Sequence, residues 1–118
     1  MSAALTERPR PIVMVIGIQG AGKSTWTRKN LAEPRDAIYV DSTLATIDRR
    51  SRIIEIAKTV GVAVSVVWVK VSLKTALRRN KHRPADEVVP EEAVENVFRI
   101  FEPPSLSEGF EAVIIVDE

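Results

Sequence analysis

The sequence predicts an α/β domain: a four-stranded, mainly parallel sheet with helices on both of its faces. Three observations carry that expectation. Short β-branched runs alternate with segments of helical apolar spacing, in the order β-α-β-α-β-α-α-β. Such alternation builds parallel sheets joined by right-handed crossovers. The first run, Ile12 to Ile16, is apolar throughout, as a strand buried on both faces has to be. Directly after it stands Gly-Ile-Gln-Gly-Ala-Gly-Lys-Ser-Thr, residues 17–25, a glycine-rich turn that opens a helix.

Each element has its own warrant. Residues 1–11 hold five polar or charged side chains and two prolines and read as a stiff, frayed leader. The first strand spans residues 12–16. The helix after the glycine-rich turn is expected over residues 23–31, and Ala-Glu-Pro-Arg-Asp connects it to a second strand over residues 37–40 that ends at Asp41. Residues 42–46 form a loop in which Thr46 is a plausible helix N-cap. Residues 47–60 read as a helix, with Ile53, Ile54, Ala57 and Val60 at helical spacing and Arg49, Arg50, Arg52 and Lys58 on other faces. Gly61 stops it. Residues 62–71 form the strongest strand, rich in valine. A helix follows over residues 73–82, then a loop. Pro90 starts the last helix, with Glu91 and Glu92 in the first turn, where the helix dipole favours them. Val94, Val97, Phe98 and Phe101 share a stripe of that helix. Residues 102–109 break it, and residues 110–116 form the final strand, with Asp117 read as part of a tail.

Totals narrow the function classes. At 118 residues the chain fits one domain, 1–118, which buries roughly two thirds of its unfolded surface. It has no cysteine, so thiolate metal sites, disulfides and cysteine nucleophiles are excluded. No apolar run is long enough to span a bilayer and the N-terminus has no apolar signal core, so a cytoplasmic protein that does not bind membranes is expected. A net charge of +1 gives no global argument for nucleic acid. The local basic groups, Arg49, Arg50 and Arg52 and then Arg78, Arg79, Lys81, His82 and Arg83, read by themselves as solvated helix faces.

The glycine-rich turn changes that balance. Gly17, Gly22, Lys23 and Ser24 stand at the spacing of the Walker A pattern, after a strand and before a helix. Gly17, Gln19, Gly20, Ala21, Gly22, Lys23, Ser24 and Thr25 can wrap backbone N–H groups around a phosphate, with the helix N-terminus adding positive potential. Lys23 would reach the β- and γ-phosphates of ATP and the Ser24 hydroxyl would ligate Mg²⁺. The fold is then a P-loop NTPase three-layer sandwich with a reduced sheet. Asp41 ends a strand and therefore projects from the carboxyl edge, where open α/β sheets bind ligands. There it serves Mg²⁺ or a basic group near the γ-phosphate. Arg79 and Arg83 are four apart and share a helix face. With a phosphate loop present, residues 78–89 read as a lid that closes over phosphates and excludes water. His82, the single histidine, makes no metal site, and Trp26 and Trp68 read as packing residues.

These residues together resemble a family. Gly17–Trp26, then Val-Asp-Ser-Thr-Leu-Ala-Thr-Ile-Asp-Arg-Arg from residue 40, then the stretch from Ala76 to Val116 are similar to the kinase domain of polynucleotide 5′-kinases and related small P-loop kinases. The resemblance implies an ATP-dependent, Mg²⁺-using phosphotransferase. It implies that Asp41 stands for the acidic residue of an Asp-Thr-Asn-like motif, that Arg83 is the lid arginine on the transferring phosphate, and that Arg79 stacks on the adenine with Val89 over its other face. One departure stands out. The family places a strand and helix, on the order of 30 residues, before the Asp-Thr-Asn-like motif, and that unit carries the general-base aspartate. Here a short connection replaces it, and Asp36 and Asp48 are the nearest unassigned aspartates.

Three readings follow. The chain is a compact kinase acting on a 5′-hydroxyl nucleic acid end or a small-molecule hydroxyl, or an ATP-binding module or ATPase that has lost transfer, or a shortened form of a longer kinase. A lost strand-helix unit would also open a sheet edge to a second copy of the chain.

Overall fold

A computed structural model describes residues 10–30 and 37–117 of the chain. The expected leader lies outside the described residues except for Arg10 and Pro11, as do Asp36 and the 31–36 connection. β1 (Ile12–Ile16) lies inside the sheet because it has no side chain that needs water, and Met14, Val15 and Ile16 are fully buried. It pairs in parallel with β2 (Ile38–Asp41) on one side and β3 (Val64–Lys70) on the other. β3 pairs in parallel with β4 (Val113–Asp117), so the order is β2-β1-β3-β4. All carboxyl ends therefore meet at one edge. The register sets Val15 beside Asp41 and Ile16 beside Trp68.

Strand alternation divides the core into two layers. Val15, Val67 and Val69 face α1 (Lys23–Asn30), α3 (Leu73–Lys81) and α4 (Glu91–Ile100) through Trp26, Ala76 and Val94. Met14, Ile16 and Val66 face α2 (Ile47–Val60) through Ile54 and Ala57, with Phe110 from the return loop. Each fully buried valine or isoleucine contributes roughly 1.5–3 kcal/mol relative to exposure. The three-layer α/β architecture is that of a P-loop NTPase-like domain. Local signals place the helices: Thr46 Oγ1 accepts from the Arg49 N–H, Gly61 ends α2 at φ 74°, and Ser72 Oγ accepts from the Thr75 N–H.

Four expectations need correction. β3 is shorter than residues 62–71, and β4 begins at Val113 and takes in Asp117, which pairs with Lys70 and is no tail. Phe98 lies on the α4 stripe but is 45% exposed, at the mouth of an apolar cavity of about 440 Å³ near the stacked rings of Trp68 and Phe101. Val60 stays exposed. Most consequential, Arg50 is not on a solvated face but fully buried. It lies four residues before Ile54 and seven before Ala57, so it shares their stripe. Its Nε and Nη2 grip both oxygens of Glu108 at 2.9 and 3.2 Å, Nη1 donates to the Leu44 carbonyl and Nη2 to the Glu102 carbonyl. Every acceptor is supplied by the loops around α2, so a guanidinium replaces apolar filler there.

Removing one partner of such a pair leaves a buried charge without compensation. Arg50→Ala is expected to cost about 3–5 kcal/mol of unfolding free energy, read by urea denaturation, while Arg52→Ala on the exposed face stays near the wild-type midpoint.

Candidate functional site

The carboxyl edge of β1 feeds residues 17–22 directly over the N-terminus of α1. The turn is tight because Gly20 (φ 84°) runs against α3: a Cβ there would lie 2.3 Å from the Ala76 carbonyl oxygen. The loop has folded around a void. Lys23 Nζ donates to the Ile18 carbonyl at 3.0 Å, crossing back over the loop. Ser24 Oγ donates to Asp41 Oδ2 at 2.8 Å, joining the first turn of α1 to the end of β2. Arg79 Nη1 donates to the Ala21 carbonyl at 3.0 Å, tying α3 to the same loop.

These groups surround one open cleft of about 470 Å³. Of the sequence-predicted residues, Gln19, Gly20, Gly22, Lys23, Ser24, Thr25, Asp41, Arg79 and Arg83 line it. Gly17 and Ala21 lie buried beneath the loop. Val89 does not reach the cleft: it packs against the core layer of α3 and α4. The reason is Asn80, a buried side chain that donates to the Val89 carbonyl at 2.6 Å and accepts from its N–H at 3.0 Å. That pair closes the 81–88 loop at its base and fixes the chain on either side of Arg83. Asp48, in the first turn of α2, is exposed and does not line the cleft.

Three residues went unpredicted. Ser42 and Thr43 line the cleft beyond Asp41; their signal was position alone, since they follow a strand at the carboxyl edge. Asn80 carried one too, four residues after buried Ala76 on the same face of α3.

The cleft is built for an anion. Lys23, Arg79 and Arg83 face it, and Asp41 is the one carboxylate among the described lining residues. Burial pushes the Lys23 ammonium below its ordinary pKa, Asp41 pulls it back up, and Arg83 pushes it down again. Such an amine gains from a phosphate beside it. Gln19 Oε1 is buried with no partner among the described residues, an acceptor left for a ligand or water to satisfy. The Ser24 hydroxyl and Asp41 carboxylate are hard oxygen donors, and no group of three or more His, Cys, Asp or Glu side chains gathers among the described residues. That set fits Mg²⁺, which binds through one or two protein oxygens and takes the rest from water and phosphates. No helix among the described residues is long and apolar enough to cross a membrane.

Comparison with known families agrees with this geometry. The family model described as AAA domain matches residues 27–104, well over half of the chain. The match starts after the glycine-rich loop, so loop and match are separate observations. No curated protein matches the chain.

The signs of the Lys23 perturbation can be read directly. Side-chain ¹⁵N NMR is expected to show Lys23 losing its proton at lower pH than the surface lysines. Asp41→Asn moves that titration lower still, and Arg83→Ala moves it back up.

Proposed function

The chain belongs to the AAA domain family, and from that premise we propose that this nucleotide-binding P-loop domain is an ATP-dependent phosphotransferase. It passes the γ-phosphate of ATP to a hydroxyl acceptor. The observation that supports it best is the convergence of Lys23, the Ser24–Asp41 pair and Arg83 on one cleft at the carboxyl edge.

Each residue has a task. The 17–22 backbone and the α1 N-terminus receive the polyphosphate. Lys23 exchanges its Ile18 carbonyl for phosphate oxygens, which favour its ammonium form. Ser24 and Asp41 would hold Mg²⁺, which would supply neutralisation of negative charge on the phosphates. Arg83, held at its distance by the Asn80–Val89 closure, stabilises charge that grows on the transferring group. Arg79 keeps the loop and α3 together and offers its guanidinium plane to the base; Val89 supports that segment from the core side.

The acceptor follows from resemblance: a 5′-hydroxyl polynucleotide end, or a small-molecule hydroxyl. The cleft itself favours a slow enzyme. Asp41 is already engaged by Ser24, so among the described residues no carboxylate is left to take the acceptor's proton. Lacking a general base costs roughly 10²- to 10⁴-fold, and phosphoryl transfer depends mostly on position and charge. The same observation favours a second reading, an ATP-binding module or ATPase. β2 is an edge strand with Ile38 45% exposed, the place where a second copy would pair.

The test follows the labelled γ-phosphate of ATP, with Mg²⁺ and a 5′-hydroxyl oligonucleotide, and reads free phosphate in the same tubes. Label on the oligonucleotide is expected, lost in Lys23→Ala together with about tenfold or more of ATP affinity. Free phosphate alone would assign an ATPase. ATP binding with neither product would leave a binding module.

A further inference from the structure

We propose that Arg50 is a positioning residue for the metal side of the cleft: it holds, from beneath, the turn that carries Asp41, Ser42 and Thr43. The inference rests on reading the cleft as a Mg²⁺–nucleotide site.

The turn begins as a continuation of the sheet, with the Ser42 N–H donating to the Val15 carbonyl at 3.1 Å. Two residues later the backbone reverses through Leu44 at φ 38°, the one non-glycine residue with positive φ among the described residues. A leucine enters that region only when its surroundings impose it. The imposing group is identifiable. Arg50 Nη1 donates to the Leu44 carbonyl at 2.9 Å from a fully buried side chain. The same guanidinium is held by Glu108 and by the Glu102 carbonyl, so it cannot follow the turn if the turn relaxes. Next along the chain, the Ala45 carbonyl accepts from the Glu102 N–H at 2.8 Å, and the Ile47 N–H donates to Glu102 Oε1 at 3.1 Å. The turn is thus pinned at both ends and clamped at its strained residue. What remains free to face the cleft is Asp41, Ser42 and Thr43.

This placement predicts a division of labour. Phosphate contacts come from the loop and Lys23, which Arg50 does not touch. The metal contact comes through Asp41, three residues before Leu44. Loss of the clamp therefore removes the gain in ATP affinity that Mg²⁺ brings and leaves metal-free affinity alone. A residue that only stabilised the fold would lower both together or neither.

The experiment measures ATP binding by calorimetry with Mg²⁺ and again with EDTA, on variants whose folding is checked by circular dichroism. Arg50→Lys is expected to lower the Mg²⁺-dependent gain by roughly 10- to 100-fold, with metal-free affinity within about twofold of wild type. Leu44→Gly accepts φ 38° without strain, so Arg50→Lys with Leu44→Gly is expected to regain part of the loss. If Arg50→Lys does not fold, Arg50→Met with Glu108→Leu removes the clamp without leaving a buried charge, an exchange that proteins often tolerate; it is expected to lose the same gain. A folded clamp variant that keeps the wild-type gain, or loses affinity equally with and without Mg²⁺, overturns the proposal. A wild-type protein that binds ATP no better with Mg²⁺ overturns the metal-site reading and this proposal together.

Discussion

The contact between Gly20 and the Ala76 carbonyl constrains everything around the cleft. No Cβ fits between the loop and α3 there. The helix therefore stands at the one height that the loop backbone allows, and the loop cannot open without pushing the helix away. From that contact the position of Arg79 follows, one turn further along α3, and Arg83 stands just past the end of the helix at Lys81. Arg79 closes the arrangement by returning a hydrogen bond to Ala21. Loop and arginines form one body, so electrostatic stabilisation is preorganised and need not be assembled when a phosphate arrives. The lowered pKa of Lys23 accompanies that arrangement: burial under the loop disfavours its charge first, Asp41 offsets part of this, and Arg83 adds to it.

Much of this was legible in the sequence, and the legible part shares a physical character. Element order, helix limits and caps depend on local chemistry: β-branched runs, the Thr46 hydroxyl, the left-handed Gly61. The phosphate loop depends on spacing within nine residues. What was not legible depends on contacts between distant segments. Arg50 finds Glu108 fifty-eight residues away, and no local rule distinguishes it from Arg49 or Arg52 except its phase relative to Ile54. Val89 was assigned to the base by resemblance, but Asn80 turns its backbone inward. Ser42 and Thr43 reach the cleft because Leu44 reverses the chain, and a leucine gives no sign in advance of positive φ.

The electrostatic balance also separates binding from turnover. A cleft with Lys23, Arg79 and Arg83 against Asp41 attracts polyphosphate whatever happens afterwards. Transfer asks for something else: a hydroxyl or water in line with the γ-phosphate and a destination for its proton. Asp41 answers poorly, because its Oδ2 already accepts from Ser24. In a loose transition state charge stabilisation matters more than a base, which is the part the proposed reading gives to Arg83. Under the proposed reading such an arrangement would support slow chemistry with little discrimination between a hydroxyl and water.

The two walls of the cleft are held by opposite means, and the sheet explains why. On the α3 wall the backbone is fixed by close packing, with β3 supported on both sides by β1 and β4. On the Asp41 wall the supporting strand is β2, four residues long, paired with β1 alone and at the edge of the sheet. A short edge strand has one ladder of hydrogen bonds to hold its end in place, and the metal side of a phosphate site tolerates little displacement. The position that a neighbouring strand would stiffen is stiffened from below, by a guanidinium buried under the turn and anchored to the return loop through Glu108 and Glu102. A buried ion pair contributes little net stability compared with apolar packing. Geometry gives it a use here: an apolar side chain can pack in that space, but it cannot donate to the Leu44 carbonyl.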